Sequence, residues 1–459
     1  MARVACVVFA LCVGSGLSWA QDPPPQFGVE IDDQIPSVLA YSEQNKDGSC
    51  SLYVVGPGHA KRTLVSGVVD VAARREVATG GFVWSPDGKR IAFASSGRGG
   101  ARALYVASPA GDAPRQVAAS LGQGELSFAW APSGTVIAFR TADGRIYAVT
   151  PDGATKPSEV TEGPGAHLPA FAPRGATLAF VAGQPGGRVV LADLVSGRST
   201  AFDTKVENLS GRLWWSPAGG QLLLESLDGL GQPASFHVLD TASGKIVTIA
   251  GVSAPCFGAW SPDGRKVALA GAVEGGLMAL YIAGSPWTAP AQAVAGGAAS
   301  GLTVVGVGAG EDQWAAWSPS GDALLYVAGP TDTVLNRFLY AAAGDGSNAR
   351  ALSRPIECRG FQWSHDGGTV LFVGRRMSRG ALSSSAFTVP ANGGEGDIRR
   401  LVPNVAYIDW SPDGGCAGFI TLDMYDRTHQ LLQVIETATD LTRRVAMAIE
   451  EYAWAPLAR

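Results

Sequence analysis

The chain has 459 residues, enough for roughly two to four average domains or for a single repeat architecture. Its formal charge is −5 and 16% of its residues are charged, which argues neither for nucleic acid nor for an acidic membrane surface as a partner, and neither is expected. Its 60 glycines fall among short β-branched and aromatic runs, so the composition favours many turns between short strands over helices.

The chain opens on a predicted export signal over residues 1–20. Arg3 supplies the n-region charge, and Val4–Gly14 is an apolar stretch too short to span a bilayer. Ser18 and Ala20 are the small residues that precede a cleavage site before Gln21. Cys12 follows Leu11 where a small residue would precede a lipidated cysteine, so a lipid anchor is not expected. The mature chain is therefore expected in the periplasm or outside the cell, with no transmembrane span after cleavage. It keeps Cys50, Cys256, Cys358 and Cys416. An oxidising compartment permits disulfides, and all three pairings are open. No CxxC pair is present, which argues against a zinc or thioredoxin-like centre.

After a linker over residues 21–34, the runs Val38–Tyr41, Leu52–Val55 and Arg62–Val65 read as three strands. A short phrase then recurs: an aromatic, Ser or Ala, Pro, a variable residue, Gly. It stands at Trp84–Gly88, Trp130–Gly134, Phe171–Gly175, Trp215–Gly219, Trp260–Gly264, Trp317–Gly321, Trp363–Gly367 and Trp410–Gly414. His365 replaces the proline in the seventh of these, and a truncated ninth copy, Trp454–Ala455–Pro456, follows. The phrase suits a tight turn: Pro presets φ, Asp tolerates the bridge region and Gly accepts positive φ. Gly88, Gly264 and Gly414 are thus expected at positive φ. A strand follows each turn, as at Arg90–Ala94, Leu178–Val181, Val267–Ala270 and Val370–Val373, and often another, as at Leu104–Ala107 and Leu280–Ala283. The helix-like stretch Leu431–Arg444 also reads as strands, because Gln433, Val434, Ile435 and Glu436 fit a period of two.

Successive anchor aromatics lie 41 to 57 residues apart, the period of a propeller blade or a solenoid turn. The residue two before each aromatic is usually bulky (Phe82, Phe128, Leu213, Phe361, Ile408, Tyr452) and the residue one before is usually small (Ala129, Ala170, Ala259, Ala316, Ala453). A bulky face set against a small face lets inner strands converge near an axis, which a solenoid does not need. The expectation is an all-β chain forming a single β-propeller over residues 35–459, with eight or nine four-stranded blades. Tyr452–Pro456 would close the ring by pairing beside Val38–Tyr41. Two smaller propellers are the remaining arrangement.

The WSPDG phrase followed by an IAF-like strand resembles the TolB-type, WD40-like β-propeller repeat, and the resemblance covers the chain from Ile35 to Arg459. It implies the fold and says little of function, because one fold hosts many sites. TolB proper sets six blades behind an α/β domain, and the related peptidases append a hydrolase domain. Neither pattern is matched here, so neither role is carried over.

The search for catalytic chemistry finds little. There is no GxSxG elbow after residue 20, and His59, His167, His237, His365 and His429 are dispersed, each expected at a surface or hairpin. Gly306–Gly310 resembles a phosphate loop but no helix follows. Asn45–Gly48 and Asp423–Asp426 do not match a calcium loop, and Asp87, Asp263, Asp366 and Asp413 read as turn residues. No cofactor or metal is expected. Attention falls on the residues just before each anchor aromatic, at one end of the ring: His167, Arg212, Trp314, Arg359, Tyr407 and Glu451. Aromatic and Arg side chains are enriched in binding hot spots. Asp409 and Gln362 stand at the otherwise small position and need inter-blade hydrogen bonds or channel contacts. The functional expectation is a monomeric, exported scaffold that binds a protein or peptide. The alternative is an enzyme, a carbohydrate lyase or hydrolase with its site at the channel mouth.

Overall fold

In the computed structural model the described residues are 37–457, except 45–49, 58, 70–80, 97–101, 111, 122–127, 162–169, 184–186, 274–276, 297–301, 308–312, 331–335, 354–356, 379–380, 423–429, 438–441 and 448. The export signal, the linker, Asn45–Gly48, Asp423–Asp426, His167 and His429 lie outside them.

The phrases build the same turn, and in the six that carry serine its hydroxyl adds to what proline and glycine do. The Ser85 N–H donates to the Arg90 carbonyl, and the Gly88 N–H to the Ser85 carbonyl. Ser85 Oγ donates to Asp87 Oδ1 at 2.6 Å and accepts the Arg90 N–H at 2.9 Å. The set recurs at Ser261 with Asp263 and Lys266, and at Ser411 with Asp413 and Cys416. The serine hydroxyl holds the Asp87 and Asp263 carboxyls below the usual carboxylate range. Gly88, Gly264 and Gly414 take φ of 67°, 68° and 71°, as the turn requires.

Between turns the chain runs in antiparallel strands, and the described residues form nine four-stranded blades with no α-helix. Blade 1 is composite: Leu39–Gln44, Cys50–Gly56 and His59–Val69 supply its outer strands and Ile449–Trp454 its innermost. Blades 2 to 9 begin with the inner strands Phe82–Trp84, Phe128–Trp130, Ala170–Phe171, Leu209–Trp215, Ser253–Trp260, Ala315–Trp317, Glu357–Trp363 and Val405–Trp410. The ring closes in register, Leu39 opposite Trp454, Ala40 opposite Ala453 and Tyr41 opposite Tyr452, and the Ala455 N–H reaches the Val38 carbonyl at 2.9 Å. The long spacing before Trp317 is taken up in blade 7, where Thr303–Val305 and Ala315–Trp317 both pair with Ala323–Gly329.

The core is a ring of clusters between blades. One joins Phe82 and Trp84 to Leu52 and Ala453 of blade 1; another joins Tyr452 and Trp454 to Cys416, Ile420 and Leu432 of blade 9. The anchor tryptophans also hydrogen-bond across each gap. Trp84 Nε1 donates to the Ala453 carbonyl, Trp130 to Val83, Trp215 to Ala170, Trp260 to Trp214, Trp317 to Ala259 and Trp363 to Ala316, all at 2.9–3.2 Å. The acceptor is in each case the residue before the previous blade's anchor. That explains the tryptophan: its indole reaches back to the backbone beside the previous anchor, at an alanine in four of the six cases and at Val83 and Trp214 in the other two. On the turn face, the phrase glycines 134, 219, 264, 321 and 367 each sit against the phrase proline of the preceding blade. Gly414, whose partner position holds His365, meets nothing there, and neither does Gly175, although the preceding blade carries Pro132.

Candidate functional site

Antiparallel pairing puts all phrase turns on one face of the ring. The starts of the inner strands, where the candidate residues stand, come to the opposite face. Trp314, Arg359, Tyr407 and Glu451 belong to consecutive blades, 7, 8, 9 and 1, whereas Arg212 stands apart on blade 5. The backbone of Glu451 pairs with Ser42; its side chain, like His167, is outside the described residues. Arg212 is exposed, and Trp314 is half-buried against the cluster of Leu324 and Tyr326.

On blade 8, Glu357 holds two guanidiniums. Arg375 reaches it through Nε at 2.8 Å and Nη2 at 2.7 Å, and Arg359 through Nη2 at 2.9 Å. The Glu357 side chain is 13% exposed and that of Arg359 47%, so the group presents a surplus positive charge to solvent. Next to it Gln313 clamps blade 7 to blade 8. Its Nε2 donates to the Phe361 carbonyl at 2.7 Å and its Oε1 accepts the Phe361 N–H at 3.2 Å. Sequence reasoning named neither Glu357, Arg375 nor Gln313; each contact spans strands, and no local pattern marks it.

At the closing seam Tyr407 exposes 38% of its surface and packs edge-on to Tyr452, ring centroids 5.8 Å apart. Beneath them Asp409 Oδ1 accepts the Tyr452 hydroxyl at 2.6 Å and the Trp454 indole N–H at 3.1 Å. The Tyr452 hydroxyl also lies 2.7 Å from the Gly418 carbonyl, so one proton serves two acceptors. Burial pushes the Asp409 carboxyl up to about 7, against the opposing pull of those two donors. Gln362 makes the matching contact one blade earlier, its Oε1 accepting the Trp410 N–H at 3.1 Å. The two polar residues at the small position are thus met by inter-blade hydrogen bonds. The indole ladder breaks at both: Trp410 Nε1 is buried without a partner among the described residues, and Trp454 uses the Asp409 side chain.

His237 departs from the surface role expected of it. It is 6% exposed, its Nε2 2.9 Å from Ser226 Oγ and its Nδ1 2.9 Å from Thr248 Oγ1. Burial lowers its pKa, and a neutral imidazole with one donor and one acceptor nitrogen suits two hydroxyls. The trio ties three neighbouring strands of blade 5 together. Cys256, Cys358 and Cys416 are free thiols on blades 6, 8 and 9, and Cys50 lies buried on blade 1. Among the described residues no group of three His, Cys, Asp or Glu is placed to hold a metal ion. No helix among them is long and apolar enough to cross a membrane.

No family model and no curated protein matches the chain. Among solved structures it is similar to a eukaryotic initiation factor, at 12% identity and a TM-score of 0.59 over 92% of this chain and 99% of that one. It is also similar to an oligogalacturonate lyase in complex with manganese, at 13% identity and a TM-score of 0.48 over 87% and 98% of the two chains. TolB from Acinetobacter baumannii is similar at 15% identity and a TM-score of 0.33, over 70% and 81%. At these identities the likeness shows the propeller fold alone.

Proposed function

We propose that the protein is an exported binding propeller, a non-enzymatic scaffold of the periplasm or cell envelope that holds a protein or peptide partner at its inner-strand rim. The observation that carries this reading is the arc of Trp314, Arg359 and Tyr407 on consecutive blades. Arg359 and Tyr407 are exposed there, while the strands beneath them are pinned by Gln313 and by the Asp409 seam. Rigid strands presenting aromatic and Arg side chains supply hot-spot chemistry at low ordering cost.

The test is site-specific photo-crosslinking in the native cell envelope, with the probe at position 359 or 407. A partner captured from both positions, and lost about tenfold or more in Arg359→Ala and Tyr407→Ala chains that melt normally, is the expected result. Capture unaffected by both substitutions overturns the reading. Mass spectrometry of exported protein is expected to find Gln21 at the N-terminus.

A further inference from the structure

Two gaps in the ring are built more openly than the rest. An anchor indole bonds across every other gap. Between blades 3 and 4 the anchor is Phe171, which has no indole, and between blades 8 and 9 Trp410 Nε1 is buried without a partner among the described residues. In the same two gaps the phrase glycine, Gly175 or Gly414, meets nothing on its open side. Each also holds a cavity, of about 630 Å³ between blades 3 and 4 and about 550 Å³ between blades 8 and 9.

The first cavity is balanced from within. Arg145 in its wall pairs with Glu159 at 2.9 Å and with Asp143 at 3.1 Å, and Asp193 Oδ1 accepts the N–H groups of Val195 and Ser196. The second is not. His365 stands in its wall where the other seven full phrases have proline, so a group that bonds replaces one that only packs. The imidazole is exposed and has no hydrogen-bond partner among the described residues. Asp366 spends Oδ1 on the Ser364 hydroxyl and the Gly368 N–H, and Asp397 spends Oδ2 on the Gly394 N–H at 2.9 Å. The second oxygen of each has no partner among the described residues. Thr388, half-buried and opposite Arg399 in register, likewise has a hydroxyl with none, and Arg399 sets a guanidinium beside it in the wall. Val389 and Leu401 supply apolar surface between these groups.

A ligand for this cavity must meet carboxylate acceptors and cationic or neutral donors at once. A cation would suit Asp366 and Asp397 and be opposed by Arg399; an anion would meet the reverse. A hydroxyl donates one hydrogen bond and accepts two, so a polyhydroxylated molecule satisfies both kinds of group. Its C–H faces suit Val389 and Leu401, and the volume falls within the range of about 300–1,000 Å³ usual for small-ligand sites. We propose that the gap between blades 8 and 9 binds a neutral saccharide of one or two rings, whose hydroxyls donate to Asp366 and Asp397 and accept from His365, Thr388 and Arg399. This site opens among the phrase turns, on the face opposite the rim, and does not depend on the rim reading.

The full mature chain would be titrated by calorimetry with maltose, cellobiose, lactose and di-N-acetylchitobiose, and with putrescine, galacturonate and glycylglycine as cationic, anionic and zwitterionic probes. At least one disaccharide is expected to bind with a Kd of about 1 mM or tighter, and none of the charged probes. His365→Pro, which restores the regular phrase, and Thr388→Leu, which fills the cavity, are each expected to weaken that disaccharide about tenfold or more, while Arg359→Ala on the rim leaves it unchanged. Hydrogen exchange of the unaltered protein is expected to show protection by the disaccharide at residues 364–369 and 397–401; this reading decides the case if either variant melts early. Binding by no disaccharide, or by a charged probe at comparable affinity, overturns the proposal. So does binding that survives both substitutions, or protection confined to other blades.

Discussion

Replacing Asp409 by asparagine removes the titration of the carboxyl at the closing seam while keeping an acceptor for Trp454 and Tyr452. The folded protein holds this carboxyl at about 7, against 3.8 for an ordinary aspartate. A folded pKa raised above the unfolded one contributes stability that is fully present below pH 4 and is lost as pH rises through 7. The whole difference is about 3 pH units at about 1.4 kcal/mol each, on the order of 4 kcal/mol, and roughly 3 kcal/mol of it falls between pH 5 and pH 9. Above pH 7 the carboxylate is ionised in a desolvated seam, and Tyr452 must then choose between it and the Gly418 carbonyl. For a domain of this size 1 kcal/mol moves the melting temperature by about 1 °C. Thermal unfolding of both proteins at pH 5, 7 and 9 is therefore expected to show wild type losing about 3 °C relative to Asp409→Asn. The turn aspartates with lowered pKa contribute with the opposite sign and at more acid pH, and they cancel in the comparison. Parallel pH dependence of the two proteins would refute the assignment of Asp409 as a proton-holding group.

Three further outcomes follow from the ring's construction. Trp317→Phe and Trp410→Phe remove the same part of a packed ring, but the first also strands the Ala259 carbonyl while the Trp410 indole N–H has no partner among the described residues, so Trp317→Phe is expected to cost about 1–2 kcal/mol more in urea unfolding. Equal costs would show that the indole ladder contributes nothing. Gly264→Ala forces a Cβ into a backbone at φ 68° and is expected to cost about 1 kcal/mol, measured by the same unfolding midpoint. Deleting Glu451–Arg459 strips the innermost strand from blade 1, including Tyr452 and Trp454 at 6% and 8% exposure. Loss of the Trp454 side chain alone is worth about 3–5 kcal/mol, so a sharp fall in melting temperature is expected, while trimming residues 21–34 changes it little. Similar, negligible effects of the two deletions would place the ring's closure elsewhere.

The repeat, the turn and the closure were legible in the sequence because each is a local pattern copied many times. Trp84–Gly88 and its copies announce a turn through residues that restrict φ, and no partner is needed to read them. The alternation of bulky Phe82 and small Ala129 positions before the anchors likewise foretold that blades converge. Asp409 and Gln362 stood out because polarity at a small, packed position demands a partner, though nothing local said which. Only the tertiary structure decided the rest. The count of nine depended on Leu39 finding Trp454 across the chain, and the purpose of the tryptophans on a carbonyl one blade, some 45 residues, away. The shared carboxylate of Glu357, the clamp of Gln313 and the raised pKa of Asp409 are properties of neighbours brought together across strands. A repeated local pattern survives in one dimension; desolvation and cross-strand pairing exist only once distant residues share a surface.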